Sequence, residues 1–146
     1  MKYIAYGSNM NTQQMAYRCP GAQLIGTGLL QGFKLEFNRH ATIIQTKSST
    51  VSVPVAVWEI SPVDEQRLDL YEGYPHYYKK TIITVDMGNG ELLIGMVYLM
   101  RTFDFFPPGK EYFKGIRDAY AALGLSSEIK RVLQPALMRS YRLTKW

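Results

Sequence analysis

Three patterns in the 146-residue chain predict an α+β architecture with a mixed sheet that can close like a barrel. Several short runs alternate apolar and polar residues, as half-buried strands require. Other stretches repeat apolar residues at spacings of three and four, as amphipathic helices require. Helical stretches do not follow every strand, which argues against a regular parallel winding. The length favours one domain over residues 1–146, and a chain of this size can bury about two-thirds of its surface.

Lys2 to Tyr6 reads as a short buried strand, followed by the turn formers Gly7-Ser8-Asn9. Asn11 suits the N-cap of a first helix, with Gln14 as its reciprocal partner and Met10 and Met15 at staple positions; Pro20 ends this helix. From Gly21 to Ile60 the pattern is strand-like. Phe33, Leu35 and Phe37 alternate with Lys34, Glu36 and Asn38, which predicts one buried and one wet face. Val51, Val53, Val55 and Val57 alternate with the equally apolar Ala56, Trp58 and Ile60, so that strand is expected to be covered on both sides. Pro54 within it marks a bulge or an edge.

Ser61-Pro62-Val63-Asp64 combines a capping hydroxyl, proline at the first helical position and an acid three residues after the cap. Val63, Leu68 and Tyr71 are expected to line the inner face of that helix, with Leu70 at its margin. Gly73 and Pro75 stop it, which puts Glu72 in or just after the last turn. Strands follow over Thr81 to Val85 and Leu92 to Met100, joined by a tight hairpin at Met87-Gly88-Asn89-Gly90. After Pro107-Pro108-Gly109, Phe113, Ile116, Tyr120 and Leu123 mark a third helix with Gly124 as its C-cap. Ser126 or Ser127 then caps a last helix that Pro135 kinks or ends.

Apolar residues at 47% and charged residues at 20% exclude a disordered chain. Cys19 has no partner for an internal disulfide, and with His40 and His76 it makes no structural zinc set. No apolar run approaches the ~20 residues of a membrane span, and the opening MKYIAYGSNM lacks the basic start and apolar length of a signal peptide. A soluble protein of a reducing compartment, the cytoplasm, is therefore expected, with no membrane partner. Of the net charge of +5, residues 125–146 hold +4, through Lys130, Arg131, Arg139, Arg142 and Lys145 against Glu128. This tail reads as a solvated helix face, and no nucleic-acid partner is expected. The oligomeric state is not legible.

Two segments invite chemistry. In Tyr6-Gly7-Ser8-Asn9 a glycine admits close approach to the backbone, and successive N–H groups near a helix start suit a carboxylate or an oxyanion. A simple turn that caps the next helix fits the same residues. Ser8 lacks the second glycine of a nucleophile elbow and has no clear histidine partner. The second segment is Leu68 to Tyr78. Glu72 faces the negative end of a helix dipole, and Tyr71, Tyr74, Tyr77 and Tyr78 can shield it from water; both effects favour its protonated form. Asp69, one turn earlier, is the other candidate acid. Cys19 reads as a small buried residue, His76 as a proton shuttle or a packing residue, and His40 carries no spacing signal. Tyr112 points inward either as core or with a free hydroxyl.

Tyr3-Ile4-Ala5-Tyr6-Gly7-Ser8-Asn9-Met10 resembles the amino-terminal Y-G-S-N signature of the γ-glutamylcyclotransferase-like proteins. Leu68-Asp69-Leu70-Tyr71-Glu72-Gly73-Tyr74 is similar to the segment that carries their catalytic glutamate, and Tyr112 to Leu125 to a helix that begins with a substrate-contacting tyrosine. The resemblance implies a small mixed β-barrel flanked by helices. It further implies cofactor-free and metal-free cyclisation of a γ-glutamyl amine or γ-glutamyl amino acid to 5-oxoproline with release of the amine. Glu72 would be the general acid/base, Tyr6, Gly7, Ser8, Asn9 and Met10 the substrate cradle, and Tyr112 a contact. The tyrosine-rich stretch Tyr74 to Tyr78 departs from the glutathione-degrading branches and leaves the leaving group open. The alternative is a non-catalytic small-molecule binding domain of the same fold. Glu72 favours the enzyme, since a mere carboxylate binder gains nothing from an acid beside an anionic ligand.

Overall fold

The computed structural model of the chain describes residues 1–145. Its strands are β1 (Lys2–Ala5), β2 (Gln23–Gln31), β3 (Phe33–Asn38), β4 (His40–Gln45), β5 (Ser52–Glu59), β6 (Tyr78–Gly88) and β7 (Glu91–Met100). Five close into a barrel in the order β1-β5-β2-β6-β7, while β3 and β4 pair as a separate two-stranded sheet. Barrel neighbours run antiparallel except β1 and β7, which lie parallel where Tyr3 faces Met96. Closure of this kind leaves no free sheet edge.

Val53 to Trp58 are all buried, so β5 is covered on both sides as its pattern requires. Its ladder with β1 spans Ala56 to Glu59, and Pro54 is opposed by Leu29 of β2 alone, which leaves room for a residue without an N–H. Asn89 and Gly90, at φ 54° and 77°, form the expected primed turn between β6 and β7. Both strands run longer than their sequence patterns, β6 starting at Tyr78 and β7 at Glu91. On β3, Leu35 and Phe37 are buried, but the opposite face is not wet throughout. Glu36 is buried as well, because Arg139 donates from Nε to its Oε1 at 2.7 Å and from Nη2 to the Leu35 carbonyl at 3.0 Å. The basic tail is thus only partly a solvated face.

Helix α1 (Thr12–Arg18) starts at Asn11, whose side chain accepts from the Gln14 amide at 3.0 Å. The reciprocal bond is not made; the Asn11 amide donates instead to the Ser8 carbonyl, closing a 3₁₀ turn over Ser8–Met10. In α2 (Pro62–Glu72) both halves of the capping box form between Ser61 and Asp64, each at 3.1 Å. The expected apolar face of α2 does not exist. Leu68 is buried, whereas Val63, Leu70 and Tyr71 are exposed, and polar anchors described below hold the helix instead. Gly73, left-handed at φ 62°, ends it at Glu72.

Phe113, Ile116 and Tyr120 on α3 (Lys110–Ala122) enter the core, and Gly124 at φ 75° turns the chain after it. Neither Ser126 nor Ser127 acts as a side-chain cap, since both already lie inside α4 (Ser126–Glu128). Pro135 does not end the last helix. The backbone widens to a π-helical stretch over Ile129–Leu133, with the Gln134 amide donating to the Ile129 carbonyl, and α5 (Gln134–Leu143) continues with Pro135 in its first turn. There proline's missing N–H costs little. No helix among the described residues is long and apolar enough to cross a membrane.

Candidate active site

Where β1 runs out into Tyr6 and Gly7 and β6 begins at Tyr78, a cavity of about 570 Å³ opens. Tyr6, Gly7, Ser8 and Asn9 form part of its wall, Glu72 another part and Tyr112 of α3 a third. The structure therefore brings together Glu72, the turn residues and Tyr112; of the other candidates, Asp69, Cys19 and His76 lie outside the wall, and so does Met10. That side chain is fully buried in the core, and its amide donates to the Gly7 carbonyl at 3.0 Å.

The turn after β1 is pinned from several sides. The Tyr6 hydroxyl donates to the Tyr98 carbonyl at 2.7 Å. Asn9 donates from Nδ2 to the Tyr3 hydroxyl at 2.9 Å, accepts from Arg18 Nη1 at Oδ1 at 2.7 Å, and accepts the Trp58 indole N–H at its carbonyl at 3.0 Å. The amides of Gly7 and Ser8 donate to no protein acceptor among the described residues. They are thus available to an anion. Gly7 answers to its neighbours as much as to a ligand, since a Cβ there would stand 3.1 Å from Ala41 Cβ and 3.4 Å from the Tyr112 hydroxyl.

Glu72 is half-buried at the end of α2, and burial pushes its carboxyl from the ordinary 4.5 up to about 7, with the Arg18 guanidinium pulling the other way. Arg18 lies 4.5 Å over the Tyr71 ring and is the one Arg or Lys in the cavity wall among the described residues. Asp69, the competing acid, is engaged elsewhere. It accepts the Tyr98 hydroxyl at 2.6 Å and pairs with Lys80 at 2.8 Å, and Lys80 also holds Glu65 at 2.8 Å.

Of the four tyrosines near Glu72 in sequence, only Tyr71 and Tyr78 reach the cavity. Tyr74 lies under the Lys80 ammonium at 4.2 Å and Tyr77 is exposed. The exposed Tyr17 and His40 border the cavity, and the remaining aromatic wall comes from afar, from Tyr3, Tyr6, Tyr98 and Tyr112. Burial raises the hydroxyl pKa of each, so they stay protonated donors. The Tyr112 hydroxyl accepts the Ala41 amide at 2.9 Å, and the edge of His40 meets its ring at 5.0 Å.

Sequence reasoning missed Arg18, His40, Tyr3 and Tyr98, whereas Tyr78, expected beside Glu72, does line the cavity. Arg18 alone had a local signal, as the last residue of the helix that the turn feeds. His76 is exposed, and Cys19 is buried with its thiol pushed up to about 11, mainly by burial. Among the described residues no three His, Cys, Asp or Glu side chains gather to hold a metal ion.

Residues 3–114 match the family model for "Gamma-glutamyl cyclotransferase, AIG2-like". The γ-glutamylcyclotransferases of Bos taurus and Homo sapiens are 28% and 29% identical to the chain, over 96% and 90% of its length and 80% and 76% of theirs. A solved γ-glutamyl cyclotransferase superposes with a TM-score of 0.81 at 27% identity, covering 90% of this chain and 86% of that one. Bacillus subtilis YkqA shares the fold at 17% identity with a TM-score of 0.74, over 100% of this chain and 56% of its own. With a family model spanning most of the sequence and a barrel that superposes on a solved member, the chain belongs to the AIG2-like γ-glutamyl cyclotransferase family of enzymes.

Proposed function

We propose that the cavity converts a γ-glutamyl amide to 5-oxoproline and a free amine or amino acid. The observation that carries this reading is that Glu72 and the Gly7–Asn9 turn, far apart in sequence, line one cavity. The substrate's own α-amine attacks its side-chain amide carbonyl and closes a five-membered ring. Proximity is built into the substrate, so no enzyme nucleophile is needed.

Three tasks fall to the protein. Glu72, with a pKa near 7, takes a proton from the substrate's ammonium and so frees the attacking lone pair. The amides of Gly7 and Ser8 donate to the oxyanion of the tetrahedral intermediate. Protonated Glu72 then returns its proton to the leaving nitrogen as the C–N bond breaks, which restores the starting carboxylate; the proton still in excess on the ring nitrogen passes to the freed amine, which departs as an ammonium, so that 5-oxoproline keeps a single N–H. Arg18 faces the α-carboxylate of the glutamyl group, and its charge keeps Glu72 from becoming too weak an acid to give the proton back.

The test is chromatographic detection of 5-oxoproline after incubation with γ-glutamyl amines and γ-glutamyl amino acids. Glu72→Gln is expected to lower turnover by about 10² to 10⁴. No 5-oxoproline from any of these compounds, or a Glu72→Gln variant that turns over at the wild-type rate, overturns the reading.

A further inference from the structure

A second cavity, also of about 570 Å³, adjoins the first, and His40 and Tyr112 line both. The rest of its wall includes Arg39, Phe106, Pro107, Pro108 and Tyr141. The two walls differ in charge. The first carries the carboxyls of Glu72 and Glu111 beside the Arg18 guanidinium, whereas the second holds Arg39 and, among the described residues, no acid.

Arg39 is held in place. It adopts a left-handed backbone at φ 61°, uncommon for a residue with a side chain. Its amide donates to the Phe106 carbonyl at 3.0 Å, and the Phe106 amide donates back to Phe37 at 3.1 Å. Its guanidinium stacks 4.3 Å over the Phe106 ring. Stacking occupies the face of the guanidinium and leaves its in-plane N–H groups to a planar anion.

We propose that this second cavity is a leaving-group subsite for a carboxylate-bearing, aromatic or bulky apolar group, with Arg39 as its specificity-determining residue. This rests on the cyclisation reading above. The scissile amide sits on the Glu72 side of the His40–Tyr112 ridge, and the departing group extends across it. There its carboxylate meets Arg39, and its side chain meets the proline and tyrosine surfaces. A cationic leaving group, such as that of a γ-glutamyl diamine, would face Arg39 with no acid among the described wall residues to offset the repulsion. A small one would leave the aromatic surface unused.

The experiment compares kcat/KM of the enzyme for γ-glutamylphenylalanine, γ-glutamylphenethylamine, which lacks only the carboxylate, and γ-glutamylalanine, which lacks the ring. The phenylalanine compound is expected to exceed the phenethylamine compound by about tenfold, the size of one charge-assisted hydrogen bond at a partly exposed site, and the alanine compound by about as much through the apolar contact of its ring. Arg39→Gln should remove the advantage over the phenethylamine compound, mostly through KM, and Arg39→Lys should retain part of it. Equal values for the acid and the amine, or a ratio that survives Arg39→Gln, overturn the subsite alone. Should Arg39→Gln not fold, the wild-type ratios decide. If none of the three releases 5-oxoproline, the cyclisation reading falls and the subsite with it.

Discussion

Tyr98 of β7 donates its hydroxyl to Asp69 of α2 at 2.6 Å, one helical turn before Glu72. The barrel thereby holds the end of a helix that has only Leu68 as a buried apolar anchor. Tyr98→Phe keeps the ring and removes this tie. It should lower stability by about 1–2 kcal/mol and, on the proposed mechanism, reduce kcat more than it alters KM, because Glu72 loses its placement while the Gly7–Asn9 turn stays intact. Thermal melting and steady-state kinetics on the purified variant check both.

Glu72→Gln separates proton transfer from packing, since glutamine keeps the size of the side chain. The folded chain holds the Glu72 proton up to about pH 7, where a solvated glutamate has lost it near 4.5. Below about pH 4.5 both folded and unfolded chains are protonated there and the group costs nothing. As pH rises through 7 the folded chain bears an unfavourable charge, so stability falls. The variant should therefore melt higher than wild type at pH 8, and the gap should shrink toward pH 5. A gap that does not depend on pH would assign the effect to packing.

In the wild type, the free-enzyme profile of kcat/KM should rise with pH along a limb centred near 7. Arg18 lowers the Glu72 pKa, so Arg18→Gln should move that limb to higher pH as well as weaken binding. A limb that stays in place would mean another group titrates. Profiles of both proteins with one substrate are enough to decide.

Gly7→Ala places a methyl 3.1 Å from Ala41 Cβ. Overpacking of this kind typically costs about 1–3 kcal/mol, and here the strain also presses on the Tyr112 hydroxyl. Stability and turnover should fall together. The double variant Gly7→Ala with Ala41→Gly should recover most of the stability, measured as a double-mutant cycle of melting temperatures. Normal stability with lost binding would point to a ligand as the reason for glycine.

Features set by a few neighbouring residues were legible in the sequence: the Ser61–Asp64 capping box, the Asn89-Gly90 turn, the Asn11 cap and the stop at Gly73. Errors arose where a distant element decides burial. Glu36 alternates like a solvent-facing residue and is buried because Arg139, 103 positions later, reaches it. Tyr71 has core spacing but is exposed beneath Arg18. The candidate site divides the same way. Glu72 and the turn after β1 stood out through their motifs, whereas His40 and Tyr98 enter the cavity by tertiary placement alone, which no local pattern encodes.

The parallel pairing of Tyr3 with Met96 has a consequence for how the protein is made. A strand synthesised first waits for a partner more than ninety residues away before the barrel can close, and such high contact order slows folding. On the ribosome, the nascent chain can form the β3–β4 hairpin early, but the candidate cavity stays unassembled until β7 and α3 emerge. The cavity wall itself runs from Tyr3 to Gly115. A chain cut before β7 should therefore keep local hairpin structure and have neither cradle nor acid in place, so activity arises only as a late product of synthesis.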